Sequence, residues 1–326
     1  MNLLVVAATD TEIKTFIENN KRADVLITGV GIPATVFHLT KQLAQKEYDL
    51  VIQAGIAGTF NNKIDVGGIE FKICLEDIET LNELARNHTL DFTKVSYGVL
   101  PLILENYKVL NSGSALGKGV GPLLISKKII SFEQVDDCTI AIPGENTTAH
   151  LLFSQAFPNA KKKIFKRYDE IEKFVLDSGD KALGVIIHEN RFTYYEKGLQ
   201  KIVDLGNFWE EKTGYPVPLG GIVGKKNIDE NILMKVDALI KQSIEYAFIN
   251  YPLITDYVRI HSQEMEPEVM KKHIDLYVNS YSINLGDDGK NAIQKVLSVF
   301  NQSNGTMKEE IITNENELFV TSSEAV

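Results

Sequence analysis

Cysteine is close to absent from this chain. Two residues, Cys74 and Cys138, stand among 326, too few for a disulfide framework or a cysteine-built zinc site. Both sit in apolar, strand-like runs, so the sequence predicts two buried free thiols. Basic charge is short as well: 34 Lys and Arg against 44 Asp and Glu leave a net charge of −10. Without a basic excess to neutralise phosphates, a nucleic-acid partner is not expected. A small anionic substrate held by local lysines is still allowed. No apolar run reaches the ~20 residues needed to span a bilayer, so no membrane partner is expected either. The opening "MNLLVVAATDTE" lacks the basic start and long apolar stretch of a signal peptide, and a cytoplasmic location is the expectation. Internal repeats are missing too, and nothing sets an oligomeric state.

What remains is ordinary for a globular protein: 44% hydrophobic and 24% charged residues, in a chain long enough for about two domains. "NLLVVAA", "DVLITGVG" and "DLVIQAGIAG" read as short apolar strands. Between them, "DTEIKTFIENN" and "IPATVFHLTKQLAQKEY" repeat apolar residues at helical spacing. That alternation implies a parallel α/β sheet, with Gly29, Gly31, Gly55 and Gly58 in the turns that follow strands.

Beyond Phe60 the texture changes. A strand leads into an amphipathic helix beginning near Glu76 or Asp77, and another helix is expected through "GVLPLILENY". A strand broken by Gly113, Gly117, Gly119 and Gly121 follows. Next come strand "CTIAIPG", helix "TTAHLLFSQAF", strand-like "KIFKRY", helix "DEIEKFVLDSG" and strand "GVII", ending at His188. After "KIVDLGNFWEEKTGYPVPLGGIVG", two strands around a short helix, the pattern from Asp229 is helical. The polar, acidic tail from residue 301 is expected to be disordered or loosely docked. The glycine-rich stretch Ser112–Gly121 and the return at Pro216–Gly221 read as two links between two lobes, and clefts between lobes are favoured ligand sites.

Three stretches carry candidate chemistry. In "AIPGENTTAHLL", Asn146 or Thr147 can cap a helix whose free N–H groups suit an anionic or polyol ligand; a plain helix cap is the alternative. In "LDFTKVSYG", Thr93 or Ser96 can cap the next helix, and Lys94 opposes the dipole there. Lys94 either meets a ligand carboxylate or simply faces solvent. In "GVIIHENRFTY", His188 ends a buried strand, followed by Glu189, Asn190 and Arg191. An imidazole in a cleft can act as general base, oriented by Glu189 or Asn190; a core histidine is the competing reading. His38, His88, His150, His261 and His273 show neither the paired spacing nor the acidic company of a metal site, so no metal is expected.

From about Ile64 to Val299, "LEDIETLNELA", "TKVSYG", "SGSALGKGVGPLL", "PGENTTAHLL", "VIIHENRFTY" and "DLGNFWEEKTGYPVPLGGI" occur in the order and spacing of one family. The chain resembles the 1,4-dihydroxy-6-naphthoate synthases of the futalosine route to menaquinone, which act on cyclic dehypoxanthine futalosine. The resemblance implies an α/β, two-lobed fold of the periplasmic-binding-protein type (type II). It implies His188 as proton acceptor, with Lys94, Val95, Ser96, Thr147 and Thr148 contacting a small-molecule substrate. It also implies a carbon–carbon cleavage that uses no cofactor.

The family's opening Ser-Pro-Cys-Pro-Asn-Asp-Thr-like turn is missing. In its place, "VVAATDTEI", "ITGVGIPAT" and "QAGIAGTFN" resemble the start of futalosine hydrolase, a nucleosidase of the nucleoside-phosphorylase-like fold, with Glu12 matching its water-positioning glutamate. The later half of that fold is absent. The implied division is 1–62 as a partial nucleoside-phosphorylase-like α/β segment, joined near Phe60–Asp65. Residues 63–117 with 218–300 form the first lobe, 118–217 the second lobe and 301–326 the tail. Rival readings are a small-carboxylate binding protein without catalysis, a futalosine N-glycosidase, and an inactive chain whose core mismatches two sheets.

Overall fold

The structure, a computed structural model, describes residues 3–7, 23–27, 41–46, 50–53, 63–66, 68–252, 266–304 and 314–321. Glu12, His38, His261 and the four glycines from Gly29 to Gly58 lie outside them, as does most of the two helices expected before residue 50. The described residues fall into two compact units, one within Met1–Cys74 and one within Leu75–Ile254 and Ser262–Val326.

In the first unit, β1 (Leu3–Ala7), β2 (Ala23–Ile27) and β3 (Leu50–Gln53) form the expected parallel sheet, in the order β2-β1-β3. A separate antiparallel hairpin joins β4 (Lys63–Val66) to β5 (Ile69–Lys72). Cys74 lies past the end of β5 and is exposed, which corrects the expectation of a buried thiol; Cys138 is buried.

The second unit contains two sheets. Around β14 (Val217–Lys225), strands β6 (Phe92–Ser96), β7 (Tyr107–Val109) and β8 (Ala115–Gly117) all pair antiparallel. The chain leaves this sheet after β8 and builds a second one from β9 (Leu123–Ser126), β10 (Thr139–Ile142), β11 (Lys163–Phe165), β12 (Ala182–Ile186) and β13 (Gln200–Asp204). It then returns in β14. The second sheet runs β11-β10-β12-β9-β13, with β10, β11 and β12 parallel. Two sheets joined by two crossings give the α/β arrangement of the periplasmic-binding-protein type.

Apolar alternation places helices on both faces of the second sheet. Leu183 and Val185 of β12 face α2 (Thr148–Ala156) and α4 (Leu205–Thr213) through Leu152, Phe153 and Trp209. Ile186 faces Ile171 and Val175 of α3 (Ile171–Asp177). A strand covered on both sides needs apolar residues at every position, hence the unbroken run of β12. In the other sheet Val95, Val109 and Val223 pack with Ile293 and Leu297 of α7 (Gly286–Asn304). Asp77 caps α1 (Ile78–Arg86), accepting from the N–H groups of Glu79 and Thr80. Helices α5 (Glu230–Asn250) and α6 (Pro267–Tyr277) complete the unit. No helix among the described residues is long and apolar enough to cross a membrane.

Two expectations fail locally. The helix through "GVLPLILENY" is only a turn at Tyr97–Val99 and one at Leu100–Ile103, because Tyr107 already enters β7. The tail is ordered where it is described. Asn314 caps a turn at Glu315–Leu318, and Leu318, Phe319 and Val320 are buried. Phe319 bridges Val109, and the Val320 N–H donates to the Val109 carbonyl at 2.9 Å. Three consecutive apolar residues inside a polar segment explain the docking.

Candidate functional site

The carboxyl ends of neighbouring parallel strands are where open α/β sheets bind ligands, and β10 and β12 both end here. After β12, the backbone turns at His188 with φ +54°, a left-handed conformation in which histidine is among the better tolerated side chains. The chain then enters a short helical turn, Asn190–Thr193.

The residues after His188 are spent on holding this turn. Asn190 donates to the buried Glu172 carboxylate at 2.5 Å, and Lys197 pairs with the same group. Arg191 donates to the carbonyls of Gly119 (2.9 Å) and Gly121 and to the Asp204 carboxylate (2.6 Å). Asp204 in turn caps α4 through the N–H groups of Gly206 and Asn207. Glycine is required at 121: a Cβ there would lie 2.1 Å from the Gly206 nitrogen.

Neither Glu189 nor Asn190 orients the His188 imidazole. Among the described residues no group hydrogen-bonds that ring. It stands edge-on to Tyr168 (5.2 Å, 78°) and parallel to His273 (6.2 Å, 13°). His273, on α6, packs its ring 4.6 Å from Tyr277, with its Nδ1 4.0 Å from the Glu189 carboxylate. Burial, the Lys94 ammonium and, in acid, a protonated His273 hold the His188 pKa down at about 3. Burial and Lys94 hold His273 at about 4. Both imidazoles are therefore neutral near pH 7.

Lys94 sits on β6 opposite Ile222 of β14, not at a helix start. Its side chain reaches solvent, yet protein crowding lowers its pKa. It has no carboxylate partner among the described residues. The other expected contacts are fixed within the protein. Val95 is fully buried in the core. The Ser96 N–H donates to Asn82 Oδ1 at 2.9 Å, and its hydroxyl accepts from Asn82 Nδ2 at 3.2 Å. Ser96 thus does not cap a helix with its side chain, and the Thr93 hydroxyl donates instead to the Lys94 carbonyl. Thr147 caps α2, accepting from the His150 N–H and donating to the Gly144 carbonyl. The Thr148 hydroxyl accepts from the Gly98 N–H at 2.9 Å and donates to the Leu219 carbonyl at 2.7 Å, tying the two sheets together. A Cβ at Gly98 would lie 2.7 Å from the Thr147 carbonyl.

The structure thus brings His188 and Lys94 together and places Ser96, Thr147 and Thr148 in an adjoining hydrogen-bonded wall. Tyr168, His273 and Tyr277 escape the sequence reading. They lie on separate elements, and only the fold brings them to His188. A base, a cation without a carboxylate partner among the described residues and an aromatic wall can bind a carboxylate and take a proton from it or from a neighbouring hydroxyl or carbon.

A profile of the menaquinone biosynthesis family matches residues 35–302, beginning before the expected seam near Phe60–Asp65. The chain is 38% identical to the 1,4-dihydroxy-6-naphtoate synthase of Thermus thermophilus, over 69% of this chain and 81% of that one. It is 36% identical to the enzyme of the same name from Streptomyces coelicolor, over 71% and 83%. Among solved structures, protein AF1704 from Archaeoglobus fulgidus shares the fold with a TM-score of 0.66 at 23% identity, covering 94% of this chain and 98% of that one. By the extent of the profile match and of these relatives, the chain belongs to the menaquinone biosynthesis family.

Proposed function

We propose that the chain is a carbon–carbon lyase that converts cyclic dehypoxanthine futalosine to 1,4-dihydroxy-6-naphthoate, with His188 as general base. The observation that carries this is a neutral imidazole after the end of β12, facing the Lys94 ammonium, with no hydrogen bond to the ring and no carboxylate on that ammonium among the described residues. Two relatives that bear the synthase name support the substrate class.

A base must be unprotonated before it can act, and burial secures that for His188. The same surroundings make it a weak base until substrate arrives. In this reading a substrate carboxylate pairs with Lys94, cancels the positive charge that opposes His188 protonation, and so raises the basicity of the ring. His188 then removes a proton, and the carbon–carbon bond breaks as its electron pair passes into the ring that becomes aromatic. The hydroxyls of Thr147 and Thr148 are occupied, so these residues meet substrate through the backbone N–H groups of the first turn of α2. The two lobes that close over the substrate are those divided near residues 118 and 217.

The test is turnover of the full-length chain with cyclic dehypoxanthine futalosine, following the naphthoate by absorbance and mass. Loss of a general base lowers the rate about 10²–10⁴-fold, and His188→Ala is expected to fall in that range with an unchanged circular dichroism spectrum. A variant within a few-fold of the parent would remove His188 from the mechanism. Hypoxanthine release from futalosine, followed in parallel, would instead reveal a nucleosidase in the N-terminal segment.

A further inference from the structure

A general-base histidine ordinarily has its second nitrogen held by a carboxylate or carbonyl, which sets the direction of the ring. Among the described residues His188 lacks that partner. Asn190 is committed to Glu172, and the Glu189 carboxylate lies 4.0 Å from His273 instead. The ring is nevertheless fixed on two sides. Tyr168 meets it edge-on at 5.2 Å, and His273 lies parallel at 6.2 Å with Tyr277 packed behind it. Aromatic pairs in these arrangements and at these spacings are attractive.

We propose that His273 is a positioning residue for the His188 base, its ring and not its nitrogen chemistry supplying the orientation that a hydrogen-bonded carboxylate gives elsewhere. The assignment rests on His188 acting as base, as proposed above. It places the wall on a different element from the base. His273 belongs to α6, whereas His188 follows β12. Its side chain is one-third exposed, so replacing it leaves the main cores intact. The neutrality of His273 near pH 7 fits a role as a flat surface: a protonated ring there would repel the imidazolium that His188 becomes.

Two substitutions separate shape from proton chemistry. His273→Phe keeps a flat ring against Tyr277 but has no nitrogen, and His273→Ala removes the ring. A misplaced catalytic group costs up to about 10²-fold in rate. His273→Ala is therefore expected to lower kcat about 10–100-fold with KM within about threefold, and His273→Phe to recover most of that loss. Equal kcat in His273→Ala and the parent would overturn the proposal. So would a phenylalanine variant as slow as the alanine one, since the nitrogen would then be what matters.

If the alanine variant does not fold, His273→Leu replaces it as the variant without a ring. A readout without turnover separates this from failure of the proposed activity. The His188 ring signal, identified in a carbon-detected histidine spectrum by its absence in His188→Phe, should shift in His273→Ala and return towards its place in His273→Phe. A signal unmoved by either change would overturn the positioning role even in an active enzyme. The expected pattern in a protein without turnover would leave the role standing and the proposed reaction refuted.

Discussion

A folded chain that keeps two imidazoles unprotonated gives up stability in acid. His188 and His273 have folded-state pKa values of about 3 and about 4 against an ordinary 6.5. Between those limits the unfolded chain binds more protons than the folded one, so stability rises with pH there. The contribution is complete above 6.5 and is lost as the pH falls towards the folded values. Thermal unfolding from about pH 7.5 to about pH 4.5 should show a steeper fall in Tm for the parent than for His188→Phe/His273→Phe. Parallel curves would mean that neither ring is held neutral by the fold. The place of His188 was legible in the sequence because a titratable group closing an apolar strand is conspicuous, and it does follow β12; Lys94 drew notice as a charge at a helix start, whereas it lies on β6. That Thr148 acts as a fastener was not legible, because its partners, Gly98 and Leu219, come from other segments.

Among the elements, the segment Asn314–Thr321 shows how composition misleads. Averaged over the tail, polarity and acidity argue for disorder, yet Phe319 is 1% exposed and its ring lies 5.4 Å from the Lys290 ammonium. Lys226 and Lys290 pair with Glu317 and Glu315, so the acidic residues help seat the apolar ones. Truncating a buried phenylalanine costs about 3–5 kcal/mol. Phe319→Ala is expected to destabilise by that amount, read as a lowered urea midpoint with unchanged slope. A change below about 1 kcal/mol would show the segment to be dispensable. The strands were easier to read. In the second sheet, β12 is buried at every position and had no polar residue to confuse it. The expected helix after Ser96 failed because its apolar spacing served a turn and a strand equally well.

Charge acts over the whole molecule. A net charge of −10 would repel the anionic substrate that Lys94 holds locally in the proposed reaction. Screening shortens from about 30 Å at 0.01 M salt to about 8 Å at 0.15 M, which removes the distant repulsion before the contact attraction. For the proposed reaction, kcat/KM should rise over that range; a steady fall would mean that the local lysine governs capture. The fold class was legible in strand order and in the two glycine- and proline-marked crossings. The N-terminal unit was legible only as strands, because a motif of that length does not determine what packs on it. Arg191 gives the molecule its mechanical character. One guanidinium grips the carbonyls of Gly119 and Gly121, in the strap between the sheets, and also the turn that carries His188. The strap and the turn after β12 are thereby tied through one side chain. In the proposed mechanism, a movement of the strap at those glycines would be felt at the imidazole, so that unloading the product and disarming the base would become a single stroke.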